Sequence, residues 1–185
     1  SLTITAGNGA TTFPALPGLP ADGAIALWDA ALAPDGAATL SAVALHGDSG
    51  RAEALIAVTV DNTVPVASIA SPRDAFLRDP AIFTGTASDT NFARYRLLLA
   101  RGTPDQATGF VEIASGTSPV QSGSLAALSG LPADGVYTAK LEVYDRAGNV
   151  SESVSAFEVD TSPPVAPVLA SATLSGQSVL LAWNA

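Results

Sequence analysis

The sequence contains no cysteine and no methionine, and it has a single histidine among its 185 residues. Without cysteine, the chain can form no disulfide, no thiolate metal site and no cysteine nucleophile. Secretion stays open, because many surface domains fold without disulfides. A lone histidine leaves histidine-based metal binding or catalysis with only one candidate residue.

Positive charge and long apolar runs are also scarce. The chain has 8 Lys and Arg against 17 Asp and Glu, a net charge of -9. Such a surface repels phosphate backbones and anionic headgroups, so we expect neither a nucleic-acid partner nor membrane insertion. No apolar run approaches the roughly 18 residues of a membrane span. No basic segment followed by an apolar one occurs at Ser1, so we expect any signal peptide to lie outside these residues.

Short runs of alternating hydrophobicity dominate what is present. They are separated by many of the 13 prolines and 16 glycines. The clearest runs are residues 66–70, 82–87, 93–99, 110–113, 137–143 and 154–159. Short strands at regular spacing with turn signals between them predict an all-β fold.

Two of these runs predict which side chains face a core. Successive side chains of a strand point to opposite faces. We therefore expect Tyr137, Ala139, Leu141 and Val143 to face a core, and Thr138, Lys140, Glu142 and Tyr144 to face water. In the same way, Tyr95, Leu97 and Leu99 oppose the outward charges of Arg94 and Arg96.

Several segments repeat along the chain. The letters LPADG occur at 19–23 and 131–135, and VDNTVP at 60–65 resembles VDTSPP at 159–164, an offset of 99. The strand between them aligns at an offset of 98, with 39–45 on 137–143. A period near 100 residues matches the size of an immunoglobulin-like (Ig-like) sandwich.

The letters HGDSG at 46–50 contain the GDSG run found around the nucleophile of trypsin-like proteases. At an offset of 98 they align with YDRAG at 144–148, which separates two strand patterns. A Ser-His-Asp site needs groups that converge from separate parts of a fold, whereas His46 and Ser49 lie three residues apart. We interpret the segment as a hairpin turn and predict no catalytic residue.

The run LPADGVYTAKLEVYDRAGNVSESVSAFEVDTSPP, with PVASIASP and FTGTASDTNF before it, resembles bacterial Ig-like repeats. The resemblance covers most of 66–164 and, in degraded form, 19–65. Residues 167–183 resemble the start of a fibronectin type III domain, with Trp183 as its inward core residue. Together the two resemblances imply tandem Ig-like β-sandwiches. The units are residues 1–62, whose completeness stays open, residues 63–162, a complete unit, and residues 163–185, a fibronectin type III-like start.

The letters DGVY at 134–137 resemble the tyrosine corner of Ig folds. In that motif a Tyr at the start of strand F anchors the preceding turn through its hydroxyl. The spacing from Asp134 to Tyr137 is one residue shorter than in antibody domains. Two interpretations therefore stay open, the hydroxyl hydrogen bond and a half-buried aromatic side chain without it.

Four aspartates could serve a cation. Asp61 and Asp160 follow the last strand of each unit, and Asp89 and Asp145 lie in predicted turns. Calcium takes six or more oxygen ligands, and the sequence has no dense Asp-x-Asp cluster. We therefore interpret these residues as strand ends and turn caps. His46 has no partner ligand, so we predict no metal and no cofactor.

Trp28 has two interpretations, a stacking platform for sugar and a side chain packed on a strand or core. The glycines at 7 and 9 lack the strand-then-helix setting of a phosphate-binding loop. The proline-rich segments 63–65 and 161–164 favour extended, stiff links.

The resemblance implies a non-catalytic spacer or adhesion stalk in a large bacterial secreted or cell-surface protein, and so an extracellular location. The implied partners are neighbouring domains of the same longer chain, with a host or cell-surface protein or glycan as a further candidate. Two alternatives stay open. One is an accessory region of an Rhs-type toxin or secreted hydrolase, and the other is a carbohydrate- or protein-binding module.

Overall fold

The computed structural model describes residues 2–6, 9–13, 27–46 and 50–184. Within these ranges the chain is built from strands, with one short 3-10 helix at Ala30–Leu32 and no α-helix. The all-β prediction is confirmed. No helix among these residues is long and apolar enough to cross a membrane.

The first sheet has four antiparallel strands. These are β1 (Leu2–Ala6), β2 (Gly9–Phe13), β3 (Gly36–His46) and β4 (Gly50–Val60), in the spatial order β2-β1-β3-β4. The last two form a long hairpin, whose pairing runs from Gly36 opposite Val60 to His46 opposite Gly50.

Residues 66–159 form two further sheets. Their strands are β5 (Val66–Ser71), β6 (Ala75–Leu77), β7 (Ile82–Ser88), β8 (Phe92–Arg101), β9 (Val111–Gly116), β10 (Val120–Ala127), β11 (Gly135–Asp145) and β12 (Val150–Val159). One sheet has the order β10-β7-β5, and the other β6-β12-β11-β8-β9. All pairs are antiparallel except β6 with β12. A final hairpin consists of β13 (Val168–Ser175) and β14 (Ser178–Asn184).

The two sheets of residues 66–159 enclose one hydrophobic core. Buried side chains from the three-stranded sheet are Ile69, Phe83, Ala87 and Leu125, and those from the five-stranded sheet include Tyr95, Leu97, Leu141, Val143 and Phe157. The ring of Phe83 meets that of Phe157 edge-on, with centroids 5.8 Å apart. Such pairs add to the stabilisation from apolar burial.

The alternation of β11 is confirmed on its core face, where Tyr137, Ala139, Leu141 and Val143 are all buried. It is wrong for Thr138 and Glu142 on the other face, which are buried as well. The Thr138 hydroxyl donates to the Gly102 carbonyl at 2.7 Å. Lys140 lies 2.7 Å from the Glu142 carboxylate, which also accepts from the Tyr144 hydroxyl. Neighbouring polar side chains therefore cover positions that the pattern assigns to water.

Tyr137 makes the hydrogen bond of a tyrosine corner. Its hydroxyl donates to the Ala133 carbonyl at 2.8 Å, four residues upstream. Replacing Tyr137 by phenylalanine keeps the ring and removes this bond, so we expect a loss of about 1 kcal/mol in the free energy of unfolding. Urea unfolding of both proteins checks this, and an unchanged midpoint would show that the ring alone matters.

The long hairpins β3–β4 and β11–β12 share one register. Gly36 opposite Val60 corresponds to Gly135 opposite Val159, an offset of 99 on both strands. The alignment offset of 98 for the first strand is therefore wrong by one residue. His46 corresponds to Asp145, whose amide donates to the Asn149 carbonyl just as His46 pairs with Gly50.

The same register corrects the LPADG repeat. Residues 131–135, which lead into β11, correspond to 32–36, which lead into β3. The copy at 19–23 lies outside the described residues. The turn at 47–49 and the His46 side chain also lie outside them. The strands on either side of that turn pair antiparallel, as the hairpin interpretation expects.

The two tryptophans differ in environment. Trp28 is half-buried and packs against the small cluster of Ala38 and Val60 with Val58. This contact favours the packing interpretation of Trp28. Trp183, which we expect to be the core residue of a fibronectin type III-like domain, is 65% exposed here. The reason is that β13 and β14 form a two-stranded sheet with no second layer among the described residues.

Candidate functional site

Hydrogen bonds from both sides hold the segment that joins the first sheet to residues 66–159. It comprises residues 61–65 and is called the junction here. Hydrogen bonds reach the junction from residues before it and from residues after it, and Pro65 at its end is buried. Since buried backbone groups need partners, these bonds decide whether the segment can bend.

Asp35 binds the junction from the first-sheet side. It lies just before Gly36, where a φ of +127° turns the chain into β3. Its Oδ1 accepts from the Asn62 amide at 2.7 Å, and its Oδ2 accepts from the Thr63 hydroxyl at 2.5 Å. The Asn62 side chain donates in turn to the Ala30 and Ala33 carbonyls. The start of the junction is thereby fixed to the turn that precedes β3.

Asn149 and Ser151 bind the junction from the other side. The Asn149 side chain donates to the Asp61 carbonyl at 2.9 Å and to the Thr63 carbonyl at 3.3 Å. The Ser151 hydroxyl donates to the Pro65 carbonyl at 2.6 Å. Three junction carbonyls therefore accept bonds from the hairpin β11–β12, and Thr63 is bonded from both sides.

Asp145 sets the orientation of Asn149. Its Oδ1 accepts from the amides of Gly148 and Asn149, at 2.7 and 2.8 Å, and its Oδ2 accepts from the Asn149 side chain at 2.7 Å. These bonds reach three and four residues along the chain from Asp145. Gly148 takes the left-handed conformation in this turn, with a φ of +99°.

The segment after β12 repeats the bonds of Asp35. Asp134 precedes Gly135, which has a φ of +140°. Its carboxylate accepts from the amide and hydroxyl of Thr161 and from the hydroxyl of Ser162. Ser162 also donates its amide to Asp160, as Thr63 does to Asp61. No hydrogen bond among the described residues joins this segment to β13 or β14, and residues 160–183 are all exposed.

These bonds lower the pKa values of Asp35 and Asp134. For Asp35 the main cause is the Thr63 hydroxyl, and for Asp134 it is the Thr161 side chain, followed by Ser162. A donated hydrogen bond favours the ionised carboxylate. Each carboxylate therefore stabilises the folded chain fully at a pH above 3.8, its ordinary pKa. This stabilisation is lost as the pH falls through the lower pKa of the folded state.

The lowered pKa of Asp134 predicts that the stability of Asp134→Asn depends on pH differently from that of wild type. The variant should unfold at a lower temperature than wild type above pH 4, because it lacks the charge that the bonds stabilise. This gap, the difference in melting temperature between the two proteins, should shrink as the pH falls below 3.8, because wild type then loses the same interaction. Thermal unfolding between pH 2 and pH 6 measures the gap. A gap that stays constant over this range would contradict the assignment.

Three of the four aspartates considered for a cation lie together. Carboxylate oxygens of Asp61, Asp89 and Asp145 all lie within 4.8 Å of one another. Asp160 is not part of this cluster and begins the segment after β12. The Asn91 side chain donates to Asp61 at 2.7 Å, and its amide donates to Asp89 at 2.6 Å. Of the six oxygens that these three carboxylates could offer to calcium, five already accept hydrogen bonds from the chain: both of Asp61, both of Asp145 and Oδ1 of Asp89. Asparagine donors account for the cluster, so we assign it to the structure of the junction.

The sequence patterns did not indicate Asp35, Asn91 or the role of the Asn149 side chain. One signal was present: Asp35 precedes Asp61 by 26 residues, and Asp134 precedes Asp160 by 26. No protein-family model matches the chain, and no curated protein sequence matches it either.

Proposed function

We propose that this chain is a non-catalytic spacer of Ig-like units in a bacterial secreted or cell-surface protein. The observation that carries the proposal is the junction, which hydrogen bonds hold from both sides. A spacer must keep neighbouring units at a constant angle. A loop whose donors are bonded on one side and whose carbonyls are bonded on the other resists the rotations that would change this angle.

The strand order supports the Ig-like assignment of residues 66–159. Ig sandwiches have strands A, B and E in one sheet and C, F and G in the other. Here β5, β7 and β10 occupy the A, B and E positions, and β8, β11 and β12 the C, F and G positions. The tyrosine corner at Tyr137 is a second feature of that fold.

The first sheet supports a repeated unit. Its order β2-β1-β3-β4 matches β9-β8-β11-β12, and the two long hairpins share their register. Asp35 and Asp134 make the same kind of bonds at the same offset of 99. A spacer built from units of one size is lengthened simply by adding units.

The binding-module alternative receives no support from Trp28, because this side chain is half-buried against the cluster of Ala38 and Val60. A flat aromatic platform for sugar needs an open ring face. The alternative of an accessory region next to a toxin or hydrolase domain is compatible with the spacer proposal, because a spacer can hold any domain that is attached to it.

Backbone ¹⁵N relaxation tests the proposal on residues 1–185. If the junction is rigid, amides of β3–β4 and β11–β12 report one rotational correlation time. Amides of β13–β14 are an internal control and should report a shorter time, because the segment after β12 is held from one side only. Separate correlation times for β3–β4 and β11–β12 would overturn the spacer proposal.

A further inference from the structure

The chain enters the two sheets of residues 66–159 through residues 61–77 and leaves them through residues 149–160. Hydrogen bonds join these two segments from one end to the other, beginning with those of Asn149 to the junction and ending with the pairing of β6 and β12. The bonded positions rise together along both segments, from 61 with 149 to 77 with 160. The two segments therefore run in the same direction, and we call the bonds between them the seam.

Three serines at successive inward positions of β12 form the middle of the seam; they are Ser151, Ser153 and Ser155. The hydroxyls of the first and third donate to the carbonyls of Pro65 and Pro72, both at 2.6 Å. The hydroxyl of the second accepts from the Ile69 amide at 3.1 Å. A hydroxyl that is removed from water costs free energy unless it is bonded, so the backbone of residues 61–77 is the partner that these serines require.

These serines are not needed to form the hairpin β11–β12. The hairpin β3–β4 has the same register, and at the offset of 99 it carries Ala52, Ala54 and Ile56 at the positions of the three serines. A long hairpin of this register therefore forms with apolar side chains there. The hydroxyls of β12 serve the contact with residues 61–77.

The last part of the seam is made by the backbone. The Asp74 amide donates to the Ala156 carbonyl at 2.8 Å, and β6 then pairs in parallel with the end of β12. The Asp160 amide donates to the Leu77 carbonyl at 3.0 Å, directly after the last residue of β12. The seam therefore reaches the point where the chain leaves residues 66–159.

The shared direction of the two segments decides how the seam responds to tension along the chain. The chain enters at one end of the seam and leaves at the other, so a pull on both ends draws residues 61–77 backward and β12 forward, parallel to the strands. All the bonds of the seam are then loaded together in shear. Two antiparallel end segments would enter and leave at the same end, and their bonds would separate one after another.

We propose that residues 66–159 carry tension along the chain and that the seam is the contact that bears it. The serine bonds share the load with the backbone bonds of β6, so the force does not fall on the three residues of β6 alone. This inference rests on the proposed spacer function, because a spacer is pulled when the parts that it separates are pulled apart. Ser153 and Ser155 do not contact the junction, so the two proposals can be tested separately.

Constant-force unfolding of residues 1–185, held at the two ends of the chain, tests the proposal with a matched pair of variants. Ser155→Ala and Tyr95→Phe each remove one buried hydroxyl that donates to a backbone carbonyl. The Ser155 bond belongs to the seam. The Tyr95 bond reaches the Leu125 carbonyl and joins β8 to β10, neither of which is an end segment. Unfolding of residues 66–159 is recognised by the release of roughly 300 Å of chain.

Ser155→Ala should raise the unfolding rate at constant force by at least about fivefold, and Tyr95→Phe by less than about twofold. The reason is that forced unfolding follows the unfolding rate, which under load depends on the bonds along the loaded path. Urea unfolding of both variants gives the loss of equilibrium stability with which each rate is compared. Rates that follow the equilibrium loss equally in the two variants, or an unchanged rate in Ser155→Ala, would overturn the proposal.

The ¹⁵N relaxation of Ser155→Ala separates this result from the spacer proposal. Because the junction keeps its bonds in this variant, β3–β4 and β11–β12 should still report one correlation time. One correlation time together with an unchanged unfolding rate would reject the load-bearing seam and leave the spacer proposal standing.

Discussion

Phe83→Ala should lower the free energy of unfolding of residues 66–159 by about 3–5 kcal/mol. Phe83 is fully buried on the central strand of the three-stranded sheet, and its ring contacts Phe157 across the core. The variant loses this burial and leaves a cavity that two paired sheets can close only in part. The three tyrosines of the chain all lie between 95 and 144, so near-ultraviolet circular dichroism of tyrosine follows this part during urea unfolding.

Phe76→Ala is the matched control for this prediction. Phe76 lies on the short strand β6 and is 75% exposed, so the same change of side chain should alter stability by less than about 0.5 kcal/mol. Equal losses in the two variants would contradict the core described here. They would mean that the two sheets do not enclose Phe83.

Asn149→Ala should release the junction from the hairpin β11–β12. The variant loses the side-chain bonds to the carbonyls of Asp61 and Thr63 and to the Asp145 carboxylate. The Asn149 amide has two N–H groups, so the 3.3 Å contact with Thr63 shares a hydrogen with a shorter bond. Loss of these bonds, one of them to a charged group, predicts a decrease of about 2 kcal/mol in the free energy of unfolding of residues 66–159. The freed junction should also be cleaved at least about tenfold faster in limited proteolysis, because cleavage follows the population of open conformations.

Asn62→Ala is the control, since it makes the same substitution on the other side of the junction. Its side chain donates to Ala30 and Ala33, which precede β3. The tyrosine signal from residues 66–159 should therefore unfold as in wild type. If Asn62→Ala destabilised that signal as much as Asn149→Ala, the two sides of the junction would not act separately.

The strands with strong alternation were predictable from sequence, and the irregular ones were not. β11 alternates apolar and polar residues over most of its length, and its core face was identified correctly. β10 was missed, because its letters VQSGSLAA include polar residues and its pairing with β7 contains two register shifts. Each shift breaks the period of two on which strand prediction depends.

Of the residues around the junction, only three aspartates were identified from the sequence. Asp61, Asp89 and Asp145 were noted as residues near turns, but their mutual distance depends on two sheets and a folded junction. The role of Asn149 was not predictable, because its side chain bonds carbonyls more than 80 residues away. Asp35 was missed because the identical letters LPADG at 19–23 drew the alignment away from 32–36.

The rigidity of the junction is the central claim, and pulsed electron–electron distance measurement tests it most directly. The sequence has no cysteine, so Ala57→Cys on β4 and Ser124→Cys on β10 give two unique spin labels, and dilution with unlabelled protein removes distances between molecules. The control pair is Phe76→Cys with Ser124→Cys, within residues 66–159. We predict a single distance distribution across the junction as narrow as that of the control pair, and broader in Asn149→Ala. A broad distribution in the protein with its native Asn149 would contradict the account.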